Sequence, residues 1–278
     1  MIWVVYPGAC SAKAHTSEPG FITDDRGRKI IVHRPFNRII SLYGAHTENL
    51  FHLGLDANII GVSLNDDRPV QVTEKQRFSY HDDPEKFLAH QPDLVLIRPM
   101  IDLGYPGLVK RLERSGITVV SLQPNGIEKM YAYWKILGRL TGREKNAEEM
   151  IRMFKKKVGA VQEMTSRIHP KKRVYFEAIH SRMKTFTQGA MPIFALETAG
   201  GINVASDAIA SRNTNIANYS KERILAHAAR IDVFLAQIGR MNRVSIEQIK
   251  KEPGFQIIKA VQNNQIYLID ESIISRPV

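Results

Sequence analysis

The longest amphipathic pattern in the chain runs from Thr141 to Ile168. Apolar residues recur there at intervals of three and four, with charged residues between them, which is typical of a helix with one buried side. These apolar positions are Ala147, Met150, Ile151, Phe154, Val158, Val161 and Ile168. Thr141 and Glu144 have the spacing of a capping box, and Pro170 ends the pattern. A helix of about 25 residues is about 37 Å long, so we predict a rigid spine between two parts of the chain.

On both sides of this helix, short apolar runs alternate with helical patterns. The strands predicted from the runs, after a hairpin over 21–32, are 38–42, 58–62, 94–97, 118–122, 173–176, 185–187, 232–235 and 266–269. The predicted helices are 47–53, 83–90, 108–115, 127–140, 191–199, 220–229 and 254–263. Such alternation predicts an α/β fold in which each sheet is mostly parallel.

The two halves of the chain share one order of motifs. Residues 85–90 and then 93–96 parallel residues 222–227 and then 232–235, as a helix followed by a buried strand. We therefore predict two Rossmann-like α/β lobes joined by a single long backbone helix, with a ligand cleft between the lobes. The predicted limits are a first lobe over 15–125, connecting helices over 126–169 and a second lobe over 170–278.

Residues 1–14 differ from the rest of the chain. They begin with an apolar run and end in a small-x-small site before His15, so we interpret them as the remnant of a signal peptide; a buried first strand is the alternative. The only cysteine, Cys10, lies within them. A mature chain without cysteine suits an oxidising compartment, which predicts a periplasmic or otherwise extracytoplasmic location. A lipid anchor at Cys10 is disfavoured by Pro7, where such signals usually carry leucine.

Charge and motifs narrow the possible functions. The formal net charge is +11, but the basic residues are spread along the chain without interleaved aromatics. We therefore predict a solvated basic surface and no nucleic-acid partner, and an anionic ligand is compatible with this charge. The sequence lacks a Walker loop, G-x-S-x-G, H-E-x-x-H and paired cysteines, which counts against an enzyme.

Candidate ligand-binding residues follow the predicted strands, because ligands of α/β folds bind at the carboxyl ends of sheet strands. These residues are Tyr43, Tyr80, His81, Arg98, His180, Arg182, Gln237 and Arg240. Arginine binds carboxylates and oxyanions through paired hydrogen bonds. A bare metal site built from His46, His81 and His180 is an alternative, although these histidines lack metal-ligand spacing. No catalytic residue, metal ligand or resident cofactor is predicted.

Six short motifs in order give a further indication. They are Arg38-Ile39-Ile40-Ser41-Leu42, Thr47-Glu48-Asn49-Leu50, Pro92-Asp93-Leu94-Val95-Leu96, Leu137-Gly138-Arg139-Leu140-Thr141-Gly142-Arg143, Glu197-Thr198-Ala199-Gly200-Gly201-Ile202-Asn203 and Lys259-Ala260-Val261 with Ile266-Tyr267. Together they resemble class III periplasmic binding proteins, which feed ABC importers with ferric siderophores, corrinoids or haem. The resemblance runs from about Phe21 onward. It departs from the family at residues 275–278, where relatives usually continue into a closing helix. A truncated second lobe is therefore an alternative interpretation of the sequence.

The resemblance implies a role for two glutamates. Glu48 in the first lobe and Glu197 in the second match the residues that dock onto arginines of the membrane permease. One carboxylate on each lobe gives a two-point electrostatic register for such a complex.

The sequence therefore predicts a monomeric, non-catalytic substrate-binding component of an ABC importer. It would capture an iron siderophore or related metal chelate and deliver it to the permease with only a small lobe closure, because the connecting helix is continuous. A corrinoid, haem, molybdate or a bare metal ion is an alternative ligand. The alternative from another class is a two-lobed α/β enzyme, such as a metal chelatase, with His180 or His81 as its base.

Overall fold

Two mostly parallel β-sheets, each covered by helices, occupy the two halves of the chain. The computed structural model describes residues 20–210 and 214–278. The predicted leader over residues 1–14, including Cys10, lies outside these described residues. A hairpin of β1 (Gly20–Thr23) and β2 (Lys29–Val32) precedes the first sheet, as predicted.

The first lobe contains a sheet of five parallel strands. Its strands are β3 (Ile39–Ser41), β4 (Ile59–Ser63), β5 (Gln76–Phe78), β6 (Leu94–Ile97) and β7 (Thr118–Ser121). Its helices are α1 (Gly44–His52), α2 (Pro84–Ala89), α3 (Pro99–Gly104) and α4 (Pro106–Arg114). The strand order is β5-β4-β3-β6-β7. Every residue of β6 is buried, because an inner parallel strand has helices over both of its faces.

Two helices lead from the first lobe to the second. They are α5 (Ile127–Thr141) and α6 (Glu144–Ser166). Gly138 of α5 lies so close to Ala147 of α6 that a Cβ atom at position 138 would be 2.8 Å from the Ala147 Cβ. The two helices therefore pack against each other, and both contribute to the core of the first lobe.

The second lobe contains a mixed sheet. Its strands are β8 (Arg173–Ile179), β9 (Lys184–Phe186), β10 (Ile202–Asn203), β11 (Ile216–Asn218), β12 (Val233–Ile238) and β13 (Ile266–Asp270). Its helices are α7 (Met191–Thr198), α8 (Lys221–Ala226), α9 (Ile246–Lys251), α10 (Lys259–Gln262) and α11 (Glu271–Ile274). The order is β11-β9-β8-β12-β13, with β10 beside β8. Strands β8, β10, β12 and β13 are parallel, whereas β9 and β11 are antiparallel to their neighbours.

The start of α6 differs from the prediction. Thr141 is the last residue of α5, and its hydroxyl donates backward to the carbonyl of Leu137 at 2.7 Å instead of capping the next helix. Gly142 then adopts a left-handed conformation, with φ of 66°, and ends α5. The capping box at Thr141 and Glu144 is therefore wrong, because the hydroxyl is already used within α5.

The apolar side of α6 is buried over only part of its length. Ala147 and Ile151 are buried in the core of the first lobe, whereas Val161 is 41% exposed and Ile168, which lies beyond the end of α6, is 57% exposed. Phe154 stacks on Phe194 of α7 with ring centroids 6.4 Å apart. The helix is thus anchored in the first lobe and contacts the second lobe through α7, so the predicted stripe is correct for the first half of the helix alone.

The predicted fold class of two α/β lobes is confirmed. The predicted lobe limits stay a prediction, since the connecting helices share a core with the first lobe. Strands β5, β10 and β11 and helices α3, α9 and α11 were not predicted, because each is short and has few buried apolar residues. The predicted helix over 254–263 is a 3-10 turn over Phe255–Ile257 followed by α10.

Candidate ligand-binding cleft

Tyr43 and Arg98 lie together at the carboxyl edge of the first sheet. Tyr43 follows β3 and Arg98 follows β6, and these two strands are neighbours in the sheet. The guanidinium carbon of Arg98 lies 5.0 Å from the centroid of the Tyr43 ring. Within the described residues Arg98 makes no ion pair, so its stacked guanidinium keeps N–H donors for a ligand. Burial raises the pKa of the Tyr43 hydroxyl, with Arg98 opposing, which leaves this group protonated at neutral pH.

His46 packs against Tyr43 from the core of the first lobe. Its ring meets the Tyr43 ring edge-on, with centroids 5.1 Å apart, and the residue is fully buried. Nε2 lies 3.0 Å from the carbonyl of Ile97, and Nδ1 lies 2.7 Å from the hydroxyl of Tyr133. Because a carbonyl only accepts, Nε2 carries the proton and Nδ1 accepts from Tyr133. Burial lowers the pKa of His46 to about 4, so this histidine is a neutral structural group whose two nitrogens are both occupied.

Three aromatic rings form a triangle on the rim of the first lobe. Tyr80 and His81 follow β5, and Tyr105 lies between α3 and α4. The three ring centroids are 4.5 to 4.9 Å apart, and the Tyr105 hydroxyl lies 3.3 Å from His81 Nε2. Tyr80 and His81 were predicted from the sequence. Tyr105 was not, because the preceding helix α3 was missed, although its place before Pro106-Gly107 marks the start of a helix.

His180 in the second lobe belongs to a network of charged groups. It follows β8, and its Nδ1 lies 2.7 Å from Glu177 Oε1, while its Nε2 lies 3.5 Å from Glu252 Oε2. Lys221 pairs with the other oxygen of Glu252. The hydrogen bond to the buried Glu177 is the main cause that raises the pKa of His180. Both ring nitrogens therefore face carboxylates of the lobe itself.

The remaining predicted residues of the second lobe differ in accessibility. Gln237 is fully buried within β12, and its Oε1 accepts from the Ser275 hydroxyl. Arg182 and Arg240 are exposed at the carboxyl ends of β8 and β12, and neither side chain has an ion pair in the described part of the chain. The structure thus presents Arg182 and Arg240 as accessible cations on this lobe, whereas Gln237 is a core residue.

The two predicted docking glutamates lie in different environments. Glu197 is exposed near the end of α7, and its Oε1 accepts from the side-chain amide of Gln188 at 2.5 Å. The Glu48 side chain is only 12% exposed, and its Oε1 lies 2.6 Å from Nη1 of Arg276. Glu48 lies in α1, and Arg276 reaches it from the segment that follows α11 of the second lobe. Its carboxylate is therefore paired within the chain.

A separate cavity of about 310 Å³ lies in the second lobe, away from this cleft. Its lining includes Arg173, His227 and Arg230, which lie at or before the amino ends of β8 and β12, and Asn203 of β10. The described residues contain no group of three or more His, Cys, Asp or Glu side chains arranged to hold a metal ion. Within the same ranges, no helix has the length and apolar character needed to cross a membrane.

Comparisons with known proteins agree with this architecture. The model of a family described as periplasmic binding protein matches residues 39–273. The chain is 23% identical to an uncharacterised ABC transporter substrate-binding lipoprotein of Bacillus subtilis, over 93% of this chain and 80% of that protein. It is 22% identical to a vitamin B12-binding protein of Vibrio cholerae, over 87% of this chain and 84% of that protein.

Solved structures match as well. A possible iron-binding periplasmic solute-binding protein from Staphylococcus epidermidis is 30% identical, with a TM-score of 0.75 over 88% of this chain and 93% of that chain. A periplasmic binding protein from Veillonella parvula, which is 21% identical, has a TM-score of 0.77 over 94% of this chain and 93% of that chain. Because it is only 21% identical, the Veillonella parvula match is evidence for the fold alone.

Proposed function

Because the chain belongs to the periplasmic binding protein family, we propose that it is the extracytoplasmic substrate-binding component of an ABC importer. It captures an iron siderophore or a related metal chelate between its lobes and delivers it to a membrane permease. It works as a monomer without a resident cofactor and without catalysis. The likeness to a substrate-binding lipoprotein and to a possible iron-binding protein supports this proposal.

One observation supports an anionic ligand most directly. Arg98 is held over the Tyr43 ring at the carboxyl edge of the first sheet, and no carboxylate pairs with it among the described residues. A guanidinium placed in this way binds a carboxylate or an oxyanion through charge-assisted hydrogen bonds. Arg182 and Arg240 offer the same chemistry on the opposite lobe. A chelate with exposed negative charge therefore fits better than a neutral one.

The aromatic triangle of Tyr80, His81 and Tyr105 adds an apolar surface to the same rim. Aromatic faces bury flat ligand surface at a small cost in conformational entropy. The ligand we propose thus combines an aromatic or apolar body with an anionic group. A corrinoid or haem is the alternative, favoured by the likeness to a vitamin B12-binding protein.

A binding panel tests this proposal. The purified protein is titrated with a carboxylate-bearing ferric siderophore, a neutral ferric hydroxamate, haem, cobalamin and molybdate, and binding is followed by isothermal titration calorimetry. We expect the anionic chelate to bind most tightly. The Arg98→Ala variant should bind it about tenfold or more weakly, since a hydrogen bond to a charged group contributes about 1.5–3 kcal/mol.

Arg114→Ala is the matched control, because Arg114 is exposed on α4 and makes no ion pair in the described ranges. Equal binding of all compounds, or full affinity in the Arg98 variant, would contradict the proposal. Chemical conversion of the bound chelate would instead support the alternative of a two-lobed enzyme.

A further inference from the structure

Residues 275–278 leave the second lobe and contact the first lobe beside the cleft, and we call them the strap. They follow α11, which packs against strands β12 and β13 and helix α7 of the second lobe. We propose that the strap is an interlobe tether that sets the separation of the two lobes in the ligand-free protein. This inference goes beyond ligand capture, and it holds whichever compound the cleft binds.

The anchor in the second lobe is the side chain of Gln237. The hydroxyl of Ser275 donates to Gln237 Oε1, and Gln237 is fully buried in the middle of the sheet. Ser275 is the only hydrogen-bond partner of this side chain among the described residues. Releasing Ser275 would leave a buried amide without any partner, which is unfavourable, so this end of the strap is firmly held.

The anchor in the first lobe has three polar groups. Nη1 of Arg276 lies 2.6 Å from Glu48 Oε1 and 3.2 Å from Asp67 Oδ1. The amide of Asn49 donates to the carbonyl of Pro277 at 2.8 Å. Glu48 and Asn49 belong to α1, whereas Asp67 follows β4. The strap therefore joins helix α1 and the loop after β4 of the first lobe to the sheet of the second lobe.

The burial of these groups decides how much the contact contributes. The side chains of Arg276 and Glu48 are 20% and 12% exposed, and Asn49 is fully buried. Exposed ion pairs contribute little, because water screens them and their side chains lose entropy. A partly buried pair whose partner is removed leaves a desolvated charge, which costs much more. Separating the lobes at this edge would break the Arg276–Glu48 ion pair and the hydrogen bond from Asn49 to Pro277 together.

The location links the tether to the cleft. Tyr43 immediately precedes α1, the helix that carries Glu48 and Asn49. The positive charge of Arg276 lowers the pKa of the Tyr43 hydroxyl, and the negative charge of Glu271 in the second lobe raises it. The strap thus lies beside the residues that line the cleft. A second interlobe contact lies at the long connecting helix, where Phe154 of α6 stacks on Phe194 of α7.

This arrangement gives Glu48 a role inside the molecule. The carboxylate holds an arginine of the same chain, so its first effect is on the distance between lobes. Loss of Glu48 and loss of Arg276 should then produce the same change. A residue that acted only on an external partner would not show this equivalence.

Distance measurements between the lobes test the proposal. Spin labels are placed at two exposed lysines, by Lys110→Cys in α4 and Lys251→Cys in α9, in a Cys10→Ser background. Pulsed electron double resonance then gives the interlobe distance distribution of the ligand-free protein. We expect Arg276→Ala and Glu48→Ala to shift this distribution to longer distances and to broaden it. The conservative variant Arg276→Lys, which keeps the positive charge beside Glu48 and Asp67, should stay closer to the original distribution than Arg276→Ala.

Lys259→Ala is the matched control, because Lys259 forms an ion pair at 2.6 Å with Asp232 inside the second lobe. It should leave the distribution unchanged, and circular dichroism confirms that each variant is folded. An unchanged distribution in folded Arg276→Ala protein would overturn the tether. The same shift in the Lys259 variant would overturn it too, since the effect would then reflect general loosening.

Discussion

His46 is a histidine that stays neutral because it lies in the core of the first lobe. Burial lowers its pKa from 6.5 to about 4, and the carbonyl of Ile97 only partly opposes this effect. Between these two values the unfolded chain binds more protons than the folded chain. The stability contributed by a neutral His46 is therefore complete above pH 6.5 and is lost as the pH falls toward 4.

The His46→Gln variant tests this sign, because its amide can still donate to Ile97 and accept from Tyr133. The variant lacks the titration, so its loss of stability relative to the original protein should be smaller at pH 4 than at pH 7. The expected difference is about 3 kcal/mol, at about 1.36 kcal/mol for each unit of pKa. Urea unfolding at both pH values measures it. A stability difference that does not change with pH would contradict the neutral state of His46.

Asp66 has the opposite dependence on pH. Burial raises the pKa of its carboxyl from 3.8 to about 6, although the Thr47 hydroxyl donates to it at 2.5 Å. The folded chain binds more protons here between pH 4 and 6, so Asp66 destabilises the fold at neutral pH and ceases to do so as the pH falls. The charge of Asp66 therefore opposes folding under the conditions in which His46 contributes fully.

The expected result for Asp66→Asn follows from this sign. Relative to the original protein, the variant should gain about 2 kcal/mol of stability on going from pH 4 to pH 7. Paired urea titrations of the two proteins at several pH values measure this change. If the relative stability of the variant instead fell with rising pH, the carboxylate of Asp66 would be stabilised by its neighbours and the pKa assignment would be wrong.

Sequence reasoning found some cleft residues but not their partners. Tyr43 and Arg98 were identified because the ends of parallel strands meet at one edge of a sheet. The partners of His180 and Glu48 were missed, since Glu252 and Arg276 lie far away along the chain and no local pattern marks them. A position at the end of a strand predicts where a side chain lies. It does not predict which distant charge reaches that side chain.

The connection between α5 and α6 depends on a glycine. Gly142 has φ of 66°, and a Cβ atom there would lie 2.7 Å from Cγ of Pro35. We expect Gly142→Ala to cost about 1–2 kcal/mol for the left-handed conformation alone, with a further cost from the contact. Glu144→Ala should change stability by less than about 0.5 kcal/mol, since Glu144 is exposed and makes no capping bond.

Thermal and urea unfolding of both variants distinguish the left-handed turn at Gly142 from the predicted capping box at Thr141 and Glu144. A capping box would give the reverse order, with a loss of about 1 kcal/mol for Glu144→Ala. The geometry of the structure predicts that Gly142→Ala is less stable than Glu144→Ala.

Elements were predictable where the apolar pattern was strong. The inner strands of both sheets were found because their runs of Val, Ile, Leu and Phe are buried from both sides. The edge strand β5 was missed, since only Phe78 of its three residues is buried. The C-terminal half of α6 continues the apolar pattern without burying it, because only its first half lies against the core of the first lobe. The pattern alone does not report what a helix packs against.

The two glutamates that were predicted to dock onto a permease have different environments in the structure. Glu197 is exposed on α7 and is available to an external arginine, whereas Glu48 is paired with Arg276. We expect Glu197→Ala to reduce ligand uptake by cells while the purified protein keeps its ligand affinity. Glu48→Ala should alter the lobe separation, and with it the affinity.

Uptake assays in a strain lacking the chromosomal copy, together with calorimetry on each purified variant, measure the two effects. Normal uptake with Glu197→Ala would contradict docking through this residue. A matched loss of affinity in that variant would assign Glu197 to the binding site instead.

In the proposed function, the protein holds an anionic metal chelate beside Arg98. Native mass spectrometry of the protein purified from the organism that makes it detects such a chelate directly, with the Arg98→Ala variant prepared in parallel. We expect a noncovalent, metal-containing complex on the original protein and a strongly reduced fraction of it on the variant. Equal occupancy of the two proteins, or a bound compound without metal, would contradict this proposal.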